Sequence, residues 1–565
     1  MEFTKQQQRI IEATGNLCIN AVAGSGKTTT LVEYARRRPR LSKKLYIAFN
    51  AAVRREAQER FAAAGIENIH VQTAHSLAYA WVVRPGGYEL AVHGYRPHEI
   101  SRILSVQNNG SPHFEHILAS HVEKFSAWFC NSTARKVQEL DYRGCVSDPR
   151  ARAFVDRYYT EIEYATRRFL ALMDQKQIPC THDFYLKKFQ LMAPQLPYDY
   201  LLFDEGQDAS PAMLDVFTRQ EGTKVIVGDT HQQIYGWRFA VNSLEKVPYE
   251  RYSLSTSFRF SPPIASLARE VIRWKDALEE GEDVEIVGAG NISEGTQRAV
   301  IARTNLGLLL RAISSVVRVE EKKKIYFEGN LTSYTYAAAG ASLYDVLYLS
   351  LDKRERIRNR VIRSMGDLSD LLEYAKQTAD MELLMLHEIV KTYGKDIFSI
   401  LSVLHTRHVE NRDEAELIFS TVHRCKGMEY DVVELADDFM TEEQFYQETK
   451  NPHRDPASKK ALREEVNLLY VALTRTRGVL YLPSRLMPDR TDLSAIRAAE
   501  EPKGQGRSVL SLPKRGGRRY RPWTPQEDER LLAATDRKLR LREIARILDR
   551  SVGAVRSRQK KLHLR

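Results

Sequence analysis

This sequence of 565 residues has few cysteines, no long apolar run and no signal pattern at its start. The five cysteines form no CxxC pair and have no histidine at metal-ligand spacing, so we expect neither a zinc module nor a disulfide framework. No apolar run approaches the roughly 20 residues that span a bilayer, and a basic-then-apolar leader is absent. These absences exclude membrane and disulfide-rich secreted proteins. We expect a cytoplasmic, globular protein of several domains.

Positive charge is concentrated near the C-terminus. The chain has 85 basic and 73 acidic residues, a net charge of +12. The segment from Lys514 to Arg565 has 17 basic and six acidic residues, which accounts for 11 of those 12 charges. Such a field attracts a polyanion, most often nucleic acid. A disordered basic tail is the alternative interpretation.

Short apolar runs alternate with helical patterns along most of the chain. The first half contains "LCINAVAG", "LYIAFN", "YLLFDE" and "KVIVGD", and the second half contains "AVIART", "LIFSTVH", "DVVELA" and "GVLYLP". Each run ends in small or polar residues, and this βα alternation is typical of parallel sheets in doubly wound α/β folds. The sequence therefore predicts two α/β domains with helical insertions, and the second insertion mixes a short strand, "KKIYF", with helical segments.

A phosphate-binding loop is predicted by "AVAGSGKTTTL", between a strand and a helix. Backbone N–H groups and the helix N-terminus cradle phosphates in such loops, while the lysine reaches the β/γ oxygens and the hydroxyl binds Mg²⁺. Ala21 stands where the usual first glycine would be, and a chance glycine turn is the alternative. The predicted nucleotide contacts are Ala23, Gly24, Ser25, Gly26, Lys27, Thr28 and Thr29.

Two adjacent acids end the apolar run in "YDYLLFDEGQDASP". Asp204 is placed to hold a metal ion together with Thr28, and Glu205 to orient and deprotonate the attacking water. Adjacent residues of a strand point to opposite faces, which suits two roles better than two ligands. A solvated loop is the alternative for an acidic strand end.

The phosphate loop is followed, in order, by "DEGQD", "GDTHQQIYGWR", "TSFRF", "TVHRCKGMEYDVV" and "NLLYVALTRTR". This series resembles the motifs of superfamily 1A DNA helicases, the UvrD/Rep/PcrA group, over roughly Phe3 to Leu482. Three segments are especially similar to the F-box DNA helicase branch: "GDTHQQIYGWRFAVNSL", "CKGMEYDVVELADDF" and "EEVNLLYVALTR". No F-box is seen before the Q-like motif "FTKQQQ", so a ubiquitin-ligase role is not implied.

The resemblance implies an α/β fold with two RecA-like P-loop domains and helical insertions. We add a small all-α, basic helix-turn-helix domain at the C-terminus. The predicted divisions are 1–85 and 196–250 for domain 1A, 86–195 for insertion 1B, 251–310 and 413–485 for domain 2A, 311–412 for insertion 2B, 486–517 for a linker, and 518–565 for the C-terminal domain.

The resemblance also implies ATP and Mg²⁺ as cofactors and assigns further nucleotide contacts. Gln7 would read the adenine edge, and Phe258 would stack on the base. Glu429 would contact the ribose or phosphates. Arg259 and Arg475 would reach the γ-phosphate from the second domain as arginine fingers, because arginine stays charged and binds phosphate bidentately. The "SFRF" segment differs from the common "NYRS" around the stacking residue.

The stretch "VIVGDTHQQIYGWRFAVNSL" sets amides and large aromatics at the end of a strand. Gln232 matches the family's γ-phosphate sensor, and Tyr235, Trp237 and Arg238 follow it toward the DNA. Stacking on an aromatic residue tolerates any base, which suits an enzyme that moves along arbitrary DNA. A core tryptophan is the alternative for Trp237. Other positions that match the family's contacts to single-stranded DNA are Phe49, Asn50, Thr73, His75, Ser76, Thr421 and His423; for the two histidines a structural role is an equal alternative.

The C-terminal segment begins with the helix start "WTPQED", and "LREIARILDRSVGAVRSRQKKL" predicts helix, turn and helix. It resembles a Myb/SANT-type unit in which Arg556, Ser557 and Lys560 face a DNA groove. A protein-binding SANT-like domain is the alternative. The predicted apolar positions are Ile544, Ile547, Leu548, Val552, Val555 and Leu562.

The sequence thus predicts an ATP-dependent DNA translocase and helicase, with 3′ to 5′ polarity by resemblance, that acts on single-stranded and partly duplex DNA in replication, recombination or repair. One alternative is a translocase that displaces proteins from single-stranded DNA with little unwinding. Another is a site-binding regulatory or targeting protein with an ATPase switch. The expected location is the nucleoid in a bacterium and the nucleus in a eukaryote, and the sequence does not indicate an oligomeric state.

Overall fold

The computed structural model describes most of the chain. The described residues are 2–236, 239–278, 284–292, 295, 297–318, 323–337, 340–450, 456–488, 492–499, 531–535, 544, 545, 547, 548, 555, 558 and 559. They separate into two compact units, residues 1–502 and 503–565.

The first sheet has six parallel strands in the order β3-β2-β4-β5-β1-β6. Its strands are β1 Leu17–Ala21, β2 Lys44–Ala48, β3 Ile69–Thr73, β4 Tyr200–Phe203, β5 Thr223–Gly228 and β6 Glu250–Leu254. Parallel strands bring their carboxyl ends to one edge, and ligands of open α/β sheets bind there. The loops after β1, β4 and β5, which are neighbours in this order, therefore meet at the same edge.

The second sheet is also parallel, in the order β10-β11-β9-β12-β13-β14. A short parallel pair, β7 with β8, precedes it in the chain. The strands are β7 Thr256–Ser257, β8 Val287–Gly288, β9 Arg298–Ala302, β10 Ile325–Phe327, β11 Leu417–Thr421, β12 Tyr430–Leu435, β13 Thr476–Leu482 and β14 Ile496–Ala498. The prediction of parallel α/β sheets is confirmed.

Helices connect and cover the strands of both sheets. None of the helices in the described ranges is both long enough and apolar enough to cross a membrane. A π-helix, Tyr79–Val83, lies between α4 and α5. The α-helices are α1 Lys5–Glu12, α2 Lys27–Arg37, α3 Ala51–Ala63, α4 Ala74–Ala78, α5 Arg84–Gly86, α6 Pro97–Leu104, α7 Phe114–Asn131, α8 Pro149–Arg157, α9 Tyr159–Asp174, α10 His182–Met192, α11 Pro211–Thr218, α12 Ser243–Lys246, α13 Pro262–Arg273, α14 Asn305–Arg318, α15 Leu343–Ser350, α16 Arg360–Ser364, α17 Leu368–Gln377, α18 Met381–Tyr393, α19 Ile397–Arg407, α20 Val422–Cys425, α21 Glu442–Thr449 and α22 Pro456–Leu473.

Side-chain caps explain where several helices next to the sheets begin. Thr4 and Gln7 form a capping box at α1, in which each side chain bonds the other residue's backbone N–H. Asn50 caps α3 by accepting from the N–H of Val53. Such caps satisfy N–H groups that have no partner within the helix. They fix the points at which the chain turns from the sheet edge into a helix.

The core of the second sheet extends to the first sheet. Beside residues of α13, α22 and the second sheet, this buried cluster includes Val22, Ala23 and Ile234. Val22 and Ala23 directly follow β1, and Ile234 lies six residues after β5. Apolar burial of about 25 cal/mol per Å² stabilises this contact. The loops after β1 and β5 are therefore packed between the two sheets.

Three departures from the sequence predictions have physical explanations. The segment predicted as a linker from residue 486 contains β14, which pairs with β13 and buries Ile496. Within the predicted insertion 311–412, β10 joins the second sheet as an edge strand. In the C-terminal unit, a buried cluster contains Leu531, Ala534, Ile544, Ala545, Leu548 and Val555. Ile547, predicted to be apolar core, is 56% exposed there. β14 buries only one of its three residues, so it has no apolar run from which a strand could be predicted. The apolar pattern of the C-terminal segment, by contrast, predicted one buried position too many, Ile547.

Candidate active site and nucleic-acid interface

The loop after β1 has the backbone conformation of a phosphate cradle. Gly24 and Gly26 have φ values of +74° and +78°, which glycine adopts at little cost. A Cβ at Gly24 would lie 2.5 Å from the Cβ of Arg259, so this close approach requires glycine. Among the described residues, the buried hydroxyl of Ser25 is one of the polar groups without a hydrogen-bond partner. The loop thus places the Ser25 hydroxyl in the same turn that Arg259 approaches at Gly24.

The acids after β4 lie opposite the lysine of this loop. Lys27 Nζ is 3.0 Å from Glu205 Oε1. Asp204 accepts hydrogen bonds from the Tyr46 hydroxyl and, over 2.9 Å, from the backbone N–H of Glu205. Glu205 itself has φ +54°, a left-handed conformation that costs a residue with a side chain roughly 1–2 kcal/mol. The two carboxylates therefore have different surroundings.

Electrostatics separates the two acids further. Burial and the charge of Glu205 raise the pKa of Asp204. Burial also raises the pKa of Glu205, but the charges of Lys27 and Lys426 outweigh burial and lower it. Glu205 is therefore ionised at neutral pH, as a group that accepts a proton from water must be. A bound cation would favour the ionised form of Asp204 in the same way.

Two arginines from the second sheet's part of the chain reach this site. Arg259 donates to Glu429 Oε1 through Nε and Nη2, over 2.9 and 2.6 Å, and to the carbonyl of Thr474 over 2.9 Å. Arg475 is 1% exposed. Burial and the charge of Arg475 lower the pKa of Arg259 to about 10. Arg259 and Arg475 are thus two buried cations that repel each other, and a bound anion would stabilise them.

A chain of hydrogen bonds joins the phosphate loop to Arg475. The N–H of Ala23 donates to the Tyr470 hydroxyl over 3.5 Å, and that hydroxyl donates to Asp229 Oδ2 over 3.0 Å. Gln232 Nε2 donates to the same oxygen over 2.8 Å, and its Oε1 accepts from Arg475 Nη2 over 3.4 Å. Gln232, in the loop after β5, thus contacts both Asp229 of the same loop and Arg475 of the second sheet's part of the chain.

The remaining predicted nucleotide residues surround the loop. Gln7 Nε2 donates to the carbonyl of Ser25 over 3.3 Å. Phe258 is 51% exposed, and its N–H donates to the carbonyl of Gly24 over 2.9 Å. Thr28 and Thr29 follow Lys27 in the first turn of α2. An exposed ring beside the loop is available for stacking, and Gln7 fixes the loop backbone.

Lys426 is a contact that sequence reasoning missed. Its ammonium pairs with Asp208 and donates to the carbonyl of Gln232 over 2.6 Å. It also lies 5.1 Å from the ring centroid of Tyr235. The signal was a lysine inside the quoted motif "TVHRCKGMEYDVV", but the sequence did not show that it crosses to the first sheet.

The predicted DNA-contacting aromatics meet beside Lys426. The rings of Phe49 and Tyr235 are stacked, with centroids 5.4 Å apart and planes 26° apart. The Tyr235 hydroxyl donates to the carbonyl of His423 over 2.9 Å, and the two rings are 5.8 Å apart. Phe49, Tyr235 and His423 follow β2, β5 and β11, so both sheets contribute to this cluster. We call Phe49, Tyr235, His423 and Lys426 the aromatic-basic cluster.

Other predicted DNA contacts lie at helix starts. Asn50 and Thr73 cap α3 and α4, and the Thr73 Oγ1 accepts from the N–H of Ser76 over 3.1 Å. Thr421 directly precedes α20 and is buried. His75 is exposed, and its ring lies 6.2 Å from that of His182. The capping bonds give Asn50 and Thr73 a structural role whether or not they contact DNA.

Four predicted contacts lie outside the described residues: Trp237, Arg238, Arg556 and Lys560. Ser557 lies outside them as well. Gly236 precedes the first pair, and a Cβ there would lie 2.5 Å from Glu464 Oε2 of helix α22. The segment that leads to Trp237 is therefore held closely against the second sheet's helix.

A phosphate loop, an acid pair and arginines from a second parallel sheet are the components of a P-loop NTPase. Comparison with known proteins agrees: residues 3–246 match the UvrD/REP helicase N-terminal domain. F-box DNA helicase 1 of Gallus gallus is 31% identical over 527 residues, 86% of this chain and 49% of that protein. F-box DNA helicase protein 1 of Schizosaccharomyces pombe is 28% identical over 528 residues, 85% of this chain and 57% of that protein.

A more distant similarity is to DNA helicase IV of Escherichia coli, which is 22% identical over 386 residues, 56% of this chain and 53% of that protein. The two F-box DNA helicases match most of this chain, but the chain spans only about half of their length. Together, the domain match and these relatives show similarity to UvrD/REP-type DNA helicases over most of the chain.

Proposed function

We propose that this chain is an ATP-driven 3′ to 5′ DNA translocase and helicase that acts on single-stranded and partly duplex DNA in replication, recombination or repair. The observation that carries the proposal is the position of Gln232. Its side chain contacts Arg475 at the nucleotide site, and its carbonyl accepts from Lys426 of the aromatic-basic cluster. One short segment thus connects the nucleotide site with the surface proposed to hold DNA.

The residues around the phosphate loop fit ATP and Mg²⁺. The unpartnered Ser25 hydroxyl, the close approach at Gly24 and the desolvated arginines suit a bound polyphosphate. Thr28 and Asp204 offer the oxygen ligands that Mg²⁺ prefers. A Mg²⁺ ion held by these two residues would neutralise negative charge on the phosphates.

The protein's own residues have distinct roles in hydrolysis. Lys27 binds the β/γ oxygens, and Glu205 orients the attacking water and takes its proton. Arg259 and Arg475 stabilise the charge that develops on the transferred phosphoryl group, because they donate from a site with little water. Gln7 and Phe258 hold the adenine, and Glu429 contacts the ribose or phosphates.

The aromatic-basic cluster is proposed to hold single-stranded DNA. Stacked rings beside a lysine offer a base a π-face and a phosphate a counter-charge, and stacking contributes about 1–3 kcal/mol per base. Trp237 and Arg238 extend this surface in the proposal, together with Asn50, Thr73, His75 and Thr421. Because residues from both sheets form the cluster, a change in the distance between the sheets would change its contacts with DNA.

The C-terminal domain is proposed to bind duplex DNA through its basic surface, with Arg556 and Lys560 at the groove. We place the protein with chromosomal DNA, in the nucleoid or the nucleus. A protein-binding role of this domain is the competing outcome of the tests below.

The decisive experiment measures ATP hydrolysis against single-stranded DNA, duplex DNA and RNA. We expect strong stimulation by single-stranded DNA, and no stimulation by any of the three would reject the proposal. Strand displacement and streptavidin displacement on the same substrates then separate a helicase from a protein-displacing translocase. Binding-site selection with the full chain tests a targeting role.

A further inference from the structure

One carboxylate at the nucleotide site is shared by two arginines. Glu429 Oε1 accepts both hydrogen bonds from Arg259, and Glu429 Oε2 accepts from Arg477 Nε over 3.0 Å. Each oxygen therefore has its own arginine. Arg477 also lies 3.8 Å from Asp431 Oδ1 through Nη1, so its position is fixed by a second acid.

The two arginines differ in where they lie. The side chain of Arg259 is 11% exposed and approaches the phosphate loop at Gly24. The side chain of Arg477 is 53% exposed. Arg477 is the second residue of β13 and lies two positions after Arg475. Arg259 thus lies next to the loop that would hold the phosphates, while the ion pairs of Arg477 are with two acids of the second sheet's part of the chain, Glu429 and Asp431.

Glu429 can hold Arg259 back from the phosphates. A forked arginine–carboxylate pair is among the stronger charge-assisted contacts, and a carboxylate with one partner holds it more tightly than a carboxylate with two. When Arg259 leaves, Glu429 would be partly buried without a counter-charge unless another cation remains. Arg477 is that cation on the opposite oxygen.

We propose that Arg477 is a positioning residue, which neutralises Glu429 and thereby releases Arg259 to act on the phosphates of ATP. This inference rests on the proposed function of Arg259. Arg477 does not contact the phosphates itself. It acts through Glu429, and Asp431 keeps it in place on the second sheet.

The test compares steady-state ATP hydrolysis of Arg477→Ala, Arg477→Lys and wild type, all as full chains with saturating single-stranded DNA. For Arg477→Ala we expect kcat to fall about two- to fivefold, the scale of a partly exposed ion pair. KM for ATP should change little, because Arg259, which Arg477 releases, acts mainly on charge that develops in the transition state. Arg477→Lys should recover most of kcat, since lysine keeps the charge.

A double-mutant cycle with Glu429→Gln makes the test specific. If Arg477 acts through Glu429, adding Arg477→Ala to Glu429→Gln should cause no further loss. Arg219→Ala, which removes a comparably exposed ion pair with Asp215 on α11, is the matched control and should leave kcat unchanged. Thermal unfolding of each variant reports a purely structural loss.

Unchanged kcat in Arg477→Ala would overturn this inference, as would an equal loss in the Glu429→Gln background. A fall in kcat that tracks a lower unfolding temperature, without recovery in Arg477→Lys, would also overturn it. Failure of the proposed function is distinguishable, because wild type itself would then show no DNA-stimulated hydrolysis.

Discussion

The hydroxyl of Tyr235 donates a hydrogen bond to the backbone carbonyl of His423 over 2.9 Å and so joins the segment after β5 to the segment after β11. The ring of Tyr235 also stacks on Phe49, which follows β2. One side chain therefore combines a contact between the sheets with a ring that we propose stacks on a base. The two contributions can be separated, because the hydroxyl makes only the first.

Tyr235→Phe should keep the stack and lose the bond between the sheets. We expect nearly unchanged affinity for single-stranded DNA and a several-fold smaller stimulation of ATP hydrolysis by DNA. Tyr235→Ala should also weaken DNA binding by roughly 1–3 kcal/mol, the worth of one stacked base. Fluorescence anisotropy measures the affinity, and equal affinities for the alanine variant and wild type would contradict the stacking role.

Lys27→Ala and Glu205→Gln should fail at different steps. Loss of the ammonium should impair nucleotide binding and hydrolysis together, because Lys27 is proposed to contact the phosphates directly. Glu205→Gln keeps the side-chain size but cannot accept a proton, so ATP should bind while turnover falls by at least about 100-fold. Nucleotide-binding and single-turnover measurements separate the two, and near-normal DNA-stimulated turnover in either variant would reject the assignment.

Gly24→Ala should impair hydrolysis for two structural reasons. The position has φ +74°, and the new Cβ would lie 2.5 Å from Arg259 Cβ and 2.8 Å from Ser257 Oγ. We expect a loss of roughly tenfold or more, the equivalent of about 1.4 kcal/mol. Gly65→Ala is the matched control, because its φ is +69° and no atom lies within 4 Å of the new Cβ. Equal activities of the two variants would show that the contact with Arg259 is unimportant.

His121 should make stability depend on pH. Its ring bonds the Tyr142 hydroxyl over 3.2 Å and the carbonyl of Gln377 over 3.0 Å, and burial lowers its pKa to about 4. The unfolded chain binds the proton near pH 6.5, so stability present above pH 6.5 is lost as pH falls toward 4. The loss is on the order of 3 kcal/mol. His121→Gln should flatten the slope of unfolding free energy between pH 4.5 and 7, and an unchanged slope would contradict this account.

Removal of residues 503–565 should leave the nucleotide site intact, because both sheets lie in the first unit. ATP hydrolysis on saturating single-stranded DNA should be unchanged, while affinity for duplex DNA falls. The slope of log affinity against log salt should become shallower by nearly one unit for each lost phosphate contact. Truncation after Arg485 is the contrasting variant, because it removes β14 from the second sheet. Unchanged duplex affinity and salt slope after the first truncation would favour protein binding.

Apart from the short edge strand β10, the strands predicted from sequence are those with long buried runs. In β2 and in the last five residues of β5 every residue is buried, which produces the continuous apolar runs that predicted them. By contrast, β3 and β6 are edge strands with a single buried residue each. An edge strand covered on little of its surface has no apolar run, so composition and periodicity did not reveal it.

The order of motifs predicted that the proposed nucleotide residues lie at the ends of neighbouring strands, and the structure places them there. It did not predict the partners that arise only when the two sheets pack together, such as Tyr470 on Asp229 and Lys426 on Asp208. These residues are hundreds of positions apart in the chain, and no local pattern relates them. Their contacts depend on tertiary packing, which periodicity does not encode.

The region that matches the UvrD/REP domain ends at residue 246, whereas the neighbour of β1 in the first sheet is β6, Glu250–Leu254. A fragment cut at that boundary would leave β1 with an open edge next to the phosphate loop, and open edges template pairing between chains. It would also uncover Val22, Ala23 and Ile234, which are buried in the second sheet's core. The matched domain is therefore smaller than the unit that folds, and we expect a fragment limited to residues 3–246 to aggregate when it is expressed alone.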